Sequence, residues 1–465
     1  MALMEITLEF ELKTSNPTTI QAPPALPKSQ SELVLHHLMY DEGFSAEREA
    51  LGVVKTKLDQ LDDRVYYATR DELFPLAHSG GNMQFQNRAG HKLKETMDAT
   101  GIWELLVGRE AMVLDSVPGR QHRDDKKEKK KKKKGKPKTV AFADVCGGPG
   151  AFSQLLYQTC PRGVKLNGFG MTLLDEHLGA PQGWYPDLTQ KKGFIACFGM
   201  DGQGNIYNTS NIIAFHTLVV AEPLKLVVAD GGFDVPSAQA NIQEVISARI
   251  VYGQWFTALK ILKPGGCFVL KLFDTFSPFT RSLLWLSTKF WEKVHIVKPK
   301  HSRIVNSERY LVCLGLHADD NVQNRSQWMN YLTEVHRSGF TDGKAMLSVV
   351  PVEWMTADAE FTSSVGDSIK EIATRQIKAL EHLLASDALQ ENLKRQEEWK
   401  QRAKERDAAR YRQNATGAQK VVPQYSAHLD PGVAAATAEE SQAGQKRGRE
   451  EYDDGQEGDE DGAEE

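Results

Sequence analysis

The chain has 465 residues, enough for one large core with room for two or three folded units, and a formal net charge of −5 at pH 7 that, averaged over the chain, argues against a nucleic-acid partner. The average hides two poles, a lysine run near residue 130 and an acidic tail, so no such partner is excluded. Five widely spaced cysteines lack the CxxC or Cys/His clusters of a structural zinc site, and neither a cleavable apolar leader nor a bilayer-length apolar run is present; a soluble, intracellular protein in a reducing compartment is expected, with no metal and no membrane partner.

Residues 1–35 are rich in Pro, Ser and Thr and predict a loosely ordered arm. From 36 to 119 a small helical subdomain is expected, because Leu51, Val54, Leu58 and Leu61, and again Leu93, Met97 and Trp103, recur at helical spacing. Residues 120–138, with Lys129 to Lys134 unbroken, are a basic linker: like charges repel and nothing apolar is available to pack. Between 139 and 316 short apolar runs alternate with amphipathic ones. VAFADV, LNGFGM, LKLVVAD, CFVLKLF, VHIV and RYLVCLGL read as strands, and residues 241–262 and 279–292 read as helices. That alternation predicts an α/β fold, a mostly parallel Rossmann-like sheet with helices on both faces. Residues 317–415 form a helical extension with an apolar stripe at Ile369, Ile372, Ile377, Leu380, Leu383 and Leu384, and 416–465 a disordered acidic tail.

The first strand of the sheet runs into Asp144-Val-Cys-Gly-Gly-Pro-Gly-Ala-Phe152 and then a helix. Gly147, Gly148 and Gly150 permit positive φ and let a nucleoside-bearing ligand approach the turn. The GxGxxG spacing of a dinucleotide site is absent, Pro149 interrupts the run, and no GK[ST] follows, which excludes a P-loop. The loop suits S-adenosyl-L-methionine, with Asp144, Cys146, the three glycines, Pro149, Ala151 and Phe152 around it; the bland alternative is a tight crossover. GFGMTL (168–173) and MDGQGNI (200–206) end two further strands at the same expected crevice.

Asp230 closes the fourth strand, Lys271 interrupts an apolar run on the next, and Glu308 precedes RYLVCLGL. One strand-end lysine usually reaches solvent, but three ionisable groups at three strand ends point to one crevice. FQNRAGHK (85–92), FADVCGGPGAFS, GFGMTL, ADGGFDV (229–235), KLFDTFSPF (271–279) and NSERYLVCLG (306–315), in this order and spacing, resemble the FtsJ-like RNA 2′-O-methyltransferases, and among them the eukaryotic mRNA cap enzymes that modify the first transcribed nucleotide. The loop departs from that pattern in having Gly147 and Ala151 where Ala and Gly are usual, an exchange the turn can absorb.

The resemblance places a Lys-Asp-Lys-Glu tetrad on Lys92, Asp230, Lys271 and Glu308. A ribose hydroxyl is a poor nucleophile, whereas a sulfonium methyl is already activated, so positioning carries much of the rate. Lys271 would accept the hydroxyl proton or steer the oxygen. A lysine ordinarily titrates near ~10.4, so neutrality requires desolvation or a neighbouring cation such as Lys92; Asp230 and Glu308 favour its charged form.

By the same resemblance Asn205 and Ile206 line the cofactor, and Asn87, Asn241, Ile242, Gln243 and Asn306 touch RNA or cap, although capping and turn stabilisation are ordinary work for Asn. Lys55 to Asp59 and Arg70 would surround the cap and its triphosphate, their cations neutralising phosphate. The implied partner is 5′-capped mRNA, with other capping or transcription machinery as further partners. The lysine run binds RNA non-specifically, directs the chain to the nucleus, or is a solvated loop; KRGR at 446–449 favours the nucleus. Methylation of the second cap nucleotide, or of ribosomal or transfer RNA, and a non-catalytic RNA-binding scaffold remain the alternatives.

Overall fold

A computed structural model describes residues 6–27, 32–75, 88–108, 138–174, 183–232, 235, 237–341 and 343–418. Asn87, most of the expected basic linker and the tail beyond 418 lie outside the described residues. The strands of the main sheet are β1 (Leu8–Leu12), β2 (Lys138–Val145), β3 (Val164–Met171), β4 (Phe194–Cys197), β5 (Leu224–Ala229), β6 (Cys267–Leu272), β7 (Trp291–Lys298) and β8 (Arg309–Leu316). Their spatial order is β1-β7-β8-β6-β5-β2-β3-β4. The half from β6 to β4 is parallel, and β8, β7 and β1 are added antiparallel beyond β6. The central strands are apolar on both faces because both are covered, as the buried runs of β2 and β5 record.

The principal helices are α1 (Ser45–Leu58), α2 (Asp63–Leu73), α3 (Ala89–Thr100), α4 (Ala151–Thr159), α5 (Thr209–Val219), α6 (Ala248–Ile261), α7 (Pro278–Phe290), α8 (Arg325–Ser338), α9 (Ala359–Leu384) and α10 (Asp387–Ala418). Helix α7 is buried along its whole length and starts at Ser277, whose side chain accepts from the Thr280 amide, with Pro278 in the first turn. In α9 Ile369, Ile372, Leu380 and Leu383 of the expected stripe are buried, Ile377 and Leu384 are half-buried, and the helix packs along α1. Residues 397–465 form a second unit; its described part is the charged end of α10, with Lys400–Glu397 and Arg402–Glu398 pairs one turn apart.

The arm expected to be loose is a strand at residues 8–12. Leu8, Phe10 and Leu12 alternate with Glu9 and Glu11, and this period of two lets the segment add to β7 in register from Leu8 opposite Lys298 to Leu12 opposite Val294. Beyond it, Thr14 and Ser15 donate to the buried carboxylate of Asp358, and Ile20 is fully buried. The extension after 316 is not wholly helical either: Phe340–Thr341 and Lys344–Ala345 form a small sheet with Val34–Leu35.

Candidate active site

Strand β2 feeds α4 and β3 on one side of the sheet, whereas β5 lies on its other side, so chain direction switches between β2 and β5. In open α/β sheets the ligand crevice opens at such a point, above the carboxyl ends of the strands. Asp144 and Asp230 end these two strands. Ala229 pairs with Leu270, which sets Asp230 beside Lys271, and Lys271 lies opposite Tyr310 across the antiparallel pair. Glu308, two residues before Tyr310, faces the same way. Lys92 arrives separately, on α3.

The four expected catalytic side chains therefore meet. The Lys92 ammonium lies 2.7 Å from Glu308 Oε1. Lys271 Nζ lies 3.2 Å from Asp230 Oδ1 and donates to the Asp230 carbonyl at 2.7 Å. The Tyr310 hydroxyl joins the pairs, 3.4 Å from Asp230 Oδ1 and 3.3 Å from Glu308 Oε1. Burial, opposed by Lys271 and reinforced by Glu308, pushes the Asp230 carboxyl above its ordinary range. Burial acts on Glu308 in the same sense, but there Lys92 and Lys271 win and hold it below. The two carboxyl groups are pushed in opposite directions because Glu308 has both lysines to hold its charge while Asp230 feels the Glu308 charge as well as its own burial.

The glycine turn adjoins this cluster: a Cβ on Gly231 would come within 2.6 Å of the Cys146 side chain, and one on Gly232 within 3.2 Å of Lys271 Nζ. Pro149 follows Gly148 in the turn, Gly150 (φ +116°) caps α4, and Ala151 and Phe152 open that helix, buried. A Cβ on Gly147 would lie 1.9 Å from Asp144 Oδ1, so this glycine is demanded by the chain's own packing. Asp144 is fully buried; its Oδ2 accepts from the Ser153 amide and hydroxyl at 3.1 and 2.7 Å, while Oδ1 has no partner among the described residues. An unpaired buried acceptor against bare backbone fits a ligand with a cationic or N–H donor end, as S-adenosylmethionine has. Asn205 and Ile206 follow β4; the Asn205 carbonyl accepts from Asn211 Nδ2 at 2.9 Å, and Ile206 packs under Gly253.

From Glu308 a cleft of about 690 Å³ runs outward between α1, α2, α9 and residues 305–308, and Lys55, Asp59, Arg70, Gln243 and Asn306 line it. Tyr66 and Tyr67 also face it, with the Arg70 guanidinium 4.7 Å from the Tyr67 ring centroid. Lys55 was expected to offer its charge to phosphate; its ammonium is instead paired with Asp274 at 2.9 Å and bonded to Ser307 Oγ at 2.8 Å. Arg70 is likewise paired with Asp71. Asn306 donates to the Ser302 carbonyl, the turn-stabilising role, while Asn241 reaches Thr56 Oγ1 at 3.4 Å and Ile242 packs against the core.

Three supporting residues escape a reading of the sequence. Tyr310 sits in the quoted motif RYLVCLGL, where a strand tyrosine reads as core. Lys298 is buried and donates to the Glu308 carbonyl at 2.6 Å, and burial, with Arg309 beside it, drives its pKa far down. Asp274 takes Lys55, Arg309 and Ser307 together; their charges and hydrogen bonds overcome burial and keep its carboxyl below the ordinary range.

The profile of a family described as FtsJ-like methyltransferase matches residues 85–316. A protein of Trypanosoma cruzi (strain CL Brener) named "Cap-specific mRNA (nucleoside-2'-O-)-methyltransferase 1" is 43% identical over 385 residues, covering 82% of this chain and 97% of its own length. The protein of that name from Trypanosoma brucei brucei (strain 927/4 GUTat10.1) is 42% identical over 386 residues, 82% of this chain and 96% of its own. The one from Danio rerio is 36% identical over 251 residues, 51% of this chain but 29% of its own length.

Proposed function

The chain belongs to the cap-specific mRNA (nucleoside-2′-O-)-methyltransferase 1 family of FtsJ-like methyltransferases, and from that premise we propose that it methylates the ribose 2′-hydroxyl of the first transcribed nucleotide of 5′-capped mRNA. The observation that carries this reading is the gathering of Lys92, Asp230, Lys271 and Glu308 beside the glycine turn, at the inner end of the cleft. S-adenosylmethionine, when bound, would supply an activated sulfonium methyl group. The Asp144 carboxyl and the backbone of 146–150, with Asn205 and Ile206, hold it. Lys271, oriented by Asp230, takes up the hydroxyl proton or directs the oxygen lone pair; Lys92 and Glu308 fix the other side of the reacting oxygen and keep the cluster's net charge low. The cleft receives the cap, with Tyr66 and Tyr67 offering aromatic faces to a base, and Arg70 meets the triphosphate only by exchanging Asp71 for it. The lysine run and KRGR direct the enzyme to the nucleus, where other capping or transcription machinery is its expected company.

The test is one short RNA, capped or uncapped, incubated with a labelled methyl donor and mapped by nuclease digestion. Label confined to the first ribose of the capped RNA is expected. Equal labelling of the uncapped RNA, or label on the second nucleotide or on a base, refutes the assignment.

A further inference from the structure

We propose that His336, on α8 and outside the family-matched residues 85–316, is a positioning residue for the cofactor: its ring holds the Ile206 carbonyl and ties the loop 200–208 to the C-terminal extension. This inference rests on the cofactor reading above and extends it to a residue remote in sequence. His336 Nε2 lies 3.0 Å from the Ile206 carbonyl oxygen and Nδ1 lies 2.9 Å from Thr209 Oγ1. A carbonyl can only accept, so Nε2 carries the hydrogen; in a neutral imidazole Nδ1 then accepts from the Thr209 hydroxyl, which fixes the tautomer and the ring's orientation. Burial against Tyr252 and Phe256, whose rings lie 6.4 and 5.4 Å away, lowers the ring's pKa to about 4, so it stays neutral near physiological pH.

The contact matters because it takes a main-chain carbonyl of the loop, whereas α6 holds the loop through side chains, Ile206 under Gly253 and Tyr207 beneath the Arg249 guanidinium at 4.2 Å. Asn211 organises its first half, accepting from the Met200 and Asp201 amides and donating to the Asn205 carbonyl. The next carbonyl, that of Ile206, is taken by His336, while the Ile206 side chain is buried under α6. Thr209 opens α5, so one imidazole joins the loop's last carbonyl before Tyr207 to the helix that follows it. Losing the ring's donor leaves a buried carbonyl unpaired beside the residues that line the cofactor.

The test compares wild type with His336→Phe, which keeps an aromatic ring against Phe256 and removes both nitrogens, and with His336→Gln, whose Nε2 amide can still donate to Ile206. Binding of S-adenosylhomocysteine is read by calorimetry, capped-RNA binding by fluorescence anisotropy, and KM for the methyl donor and kcat by methyl transfer. The Phe variant is expected to bind S-adenosylhomocysteine about tenfold more weakly and to raise KM for the donor by a similar factor, with RNA affinity and kcat within about twofold of wild type and most of the loss restored by Gln. Unchanged cofactor affinity in the Phe variant overturns the proposal. So does a parallel loss of cofactor and RNA binding, which is what a merely structural role would give. A wild-type chain that fails to bind S-adenosylhomocysteine at all overturns the cofactor reading itself, an outcome visible before any variant is made.

Discussion

Replacing Asp144 with Asn should make the unliganded protein more stable at pH 8 while weakening its hold on the cofactor. Asp144 is wholly buried; burial, against the opposing hydrogen bonds from Ser153, pushes its carboxyl up to about 7. The ordinary value is 3.8, so between about pH 4 and 7 the unfolded chain has lost a proton that the folded chain keeps. Stability then falls as pH rises, by roughly 1.4 kcal/mol per pH unit, and the accumulated loss reaches about 4 kcal/mol near pH 7. Asn does not titrate; its carbonyl can accept from Ser153 as Oδ2 does. Urea unfolding of both proteins without ligand should give a stability difference in favour of Asn that grows by about 2–3 kcal/mol from pH 5 to pH 7 and then levels off. Above pH 7, where the carboxyl is ionised, the same substitution removes the charge from the unpaired Oδ1, and a charge-assisted hydrogen bond of about 1.5–3 kcal/mol corresponds to a ~10- to 100-fold weaker affinity for S-adenosylhomocysteine at pH 8. A stability difference that does not vary with pH would refute the argument that this carboxyl is desolvated in the free protein.

Two further outcomes are expected. Lys271→Ala should abolish methyl transfer yet bind S-adenosylhomocysteine within about twofold of wild type by calorimetry, and normal turnover would remove Lys271 from the catalytic role. Asp358→Ala should lower unfolding free energy by about 3–5 kcal/mol, because it strands the buried Lys289 ammonium 3.2 Å away and releases Thr14 and Ser15. Burial works against the charge of Asp358, but the Thr14 hydroxyl and the Ser15 and Phe361 amides hold its carboxyl down to about 2. Its electrostatic contribution is therefore complete above pH 4 and is lost as pH falls toward 2, so the gap between wild type and variant should narrow by about 2 kcal/mol over that range in acid-unfolding curves.

The parallel core was legible because each of its strands is a short apolar run with its chemistry at one end, and strand order alone brings Asp144, Asp230 and Lys271 to one edge. Lys92 was not legible by that route. It sits on a helix, and only a resemblance in FQNRAGHK joined it to Glu308, 216 residues away. The edge strand Leu8–Leu12 was missed because five alternating residues are outweighed by the Pro, Ser and Thr around them. Lys55 illustrates a different limit. A lysine on an amphipathic helix is free to meet phosphate unless a carboxylate lies in reach, and Asp274 comes within 2.9 Å only after the chain has folded across 219 residues. His336 gave no signal, since a lone histidine in a helix most often satisfies itself in a core. It is buried as that rule expects, but one of its bonds goes to the Ile206 carbonyl in the loop 200–208.

These long-range bonds bear on how much of the chain the chemistry needs. Ser307, next to Glu308, is bonded to Lys55 from α1 at 2.8 Å and to Gln376 from α9 at 3.3 Å, and Gln376 also donates to the Val305 carbonyl at 3.1 Å. Lys298 supports the Glu308 carbonyl from below. The backbone that carries the Glu308 carboxylate is thus held through Ser307, Val305 and its own carbonyl, with two of the three partners, Lys55 and Gln376, outside residues 85–316. A buried ion pair gains only when geometry and the remaining hydrogen bonds are satisfied; otherwise desolvation dominates. Removing α1 or α9 would leave Asp274 or the 305–307 backbone short of partners and loosen Glu308 relative to Lys92 and Lys271, without touching the glycine turn. The helices flanking the sheet are in this sense part of the charged cluster: the sheet sets which groups meet, and the extensions set how tightly they are held.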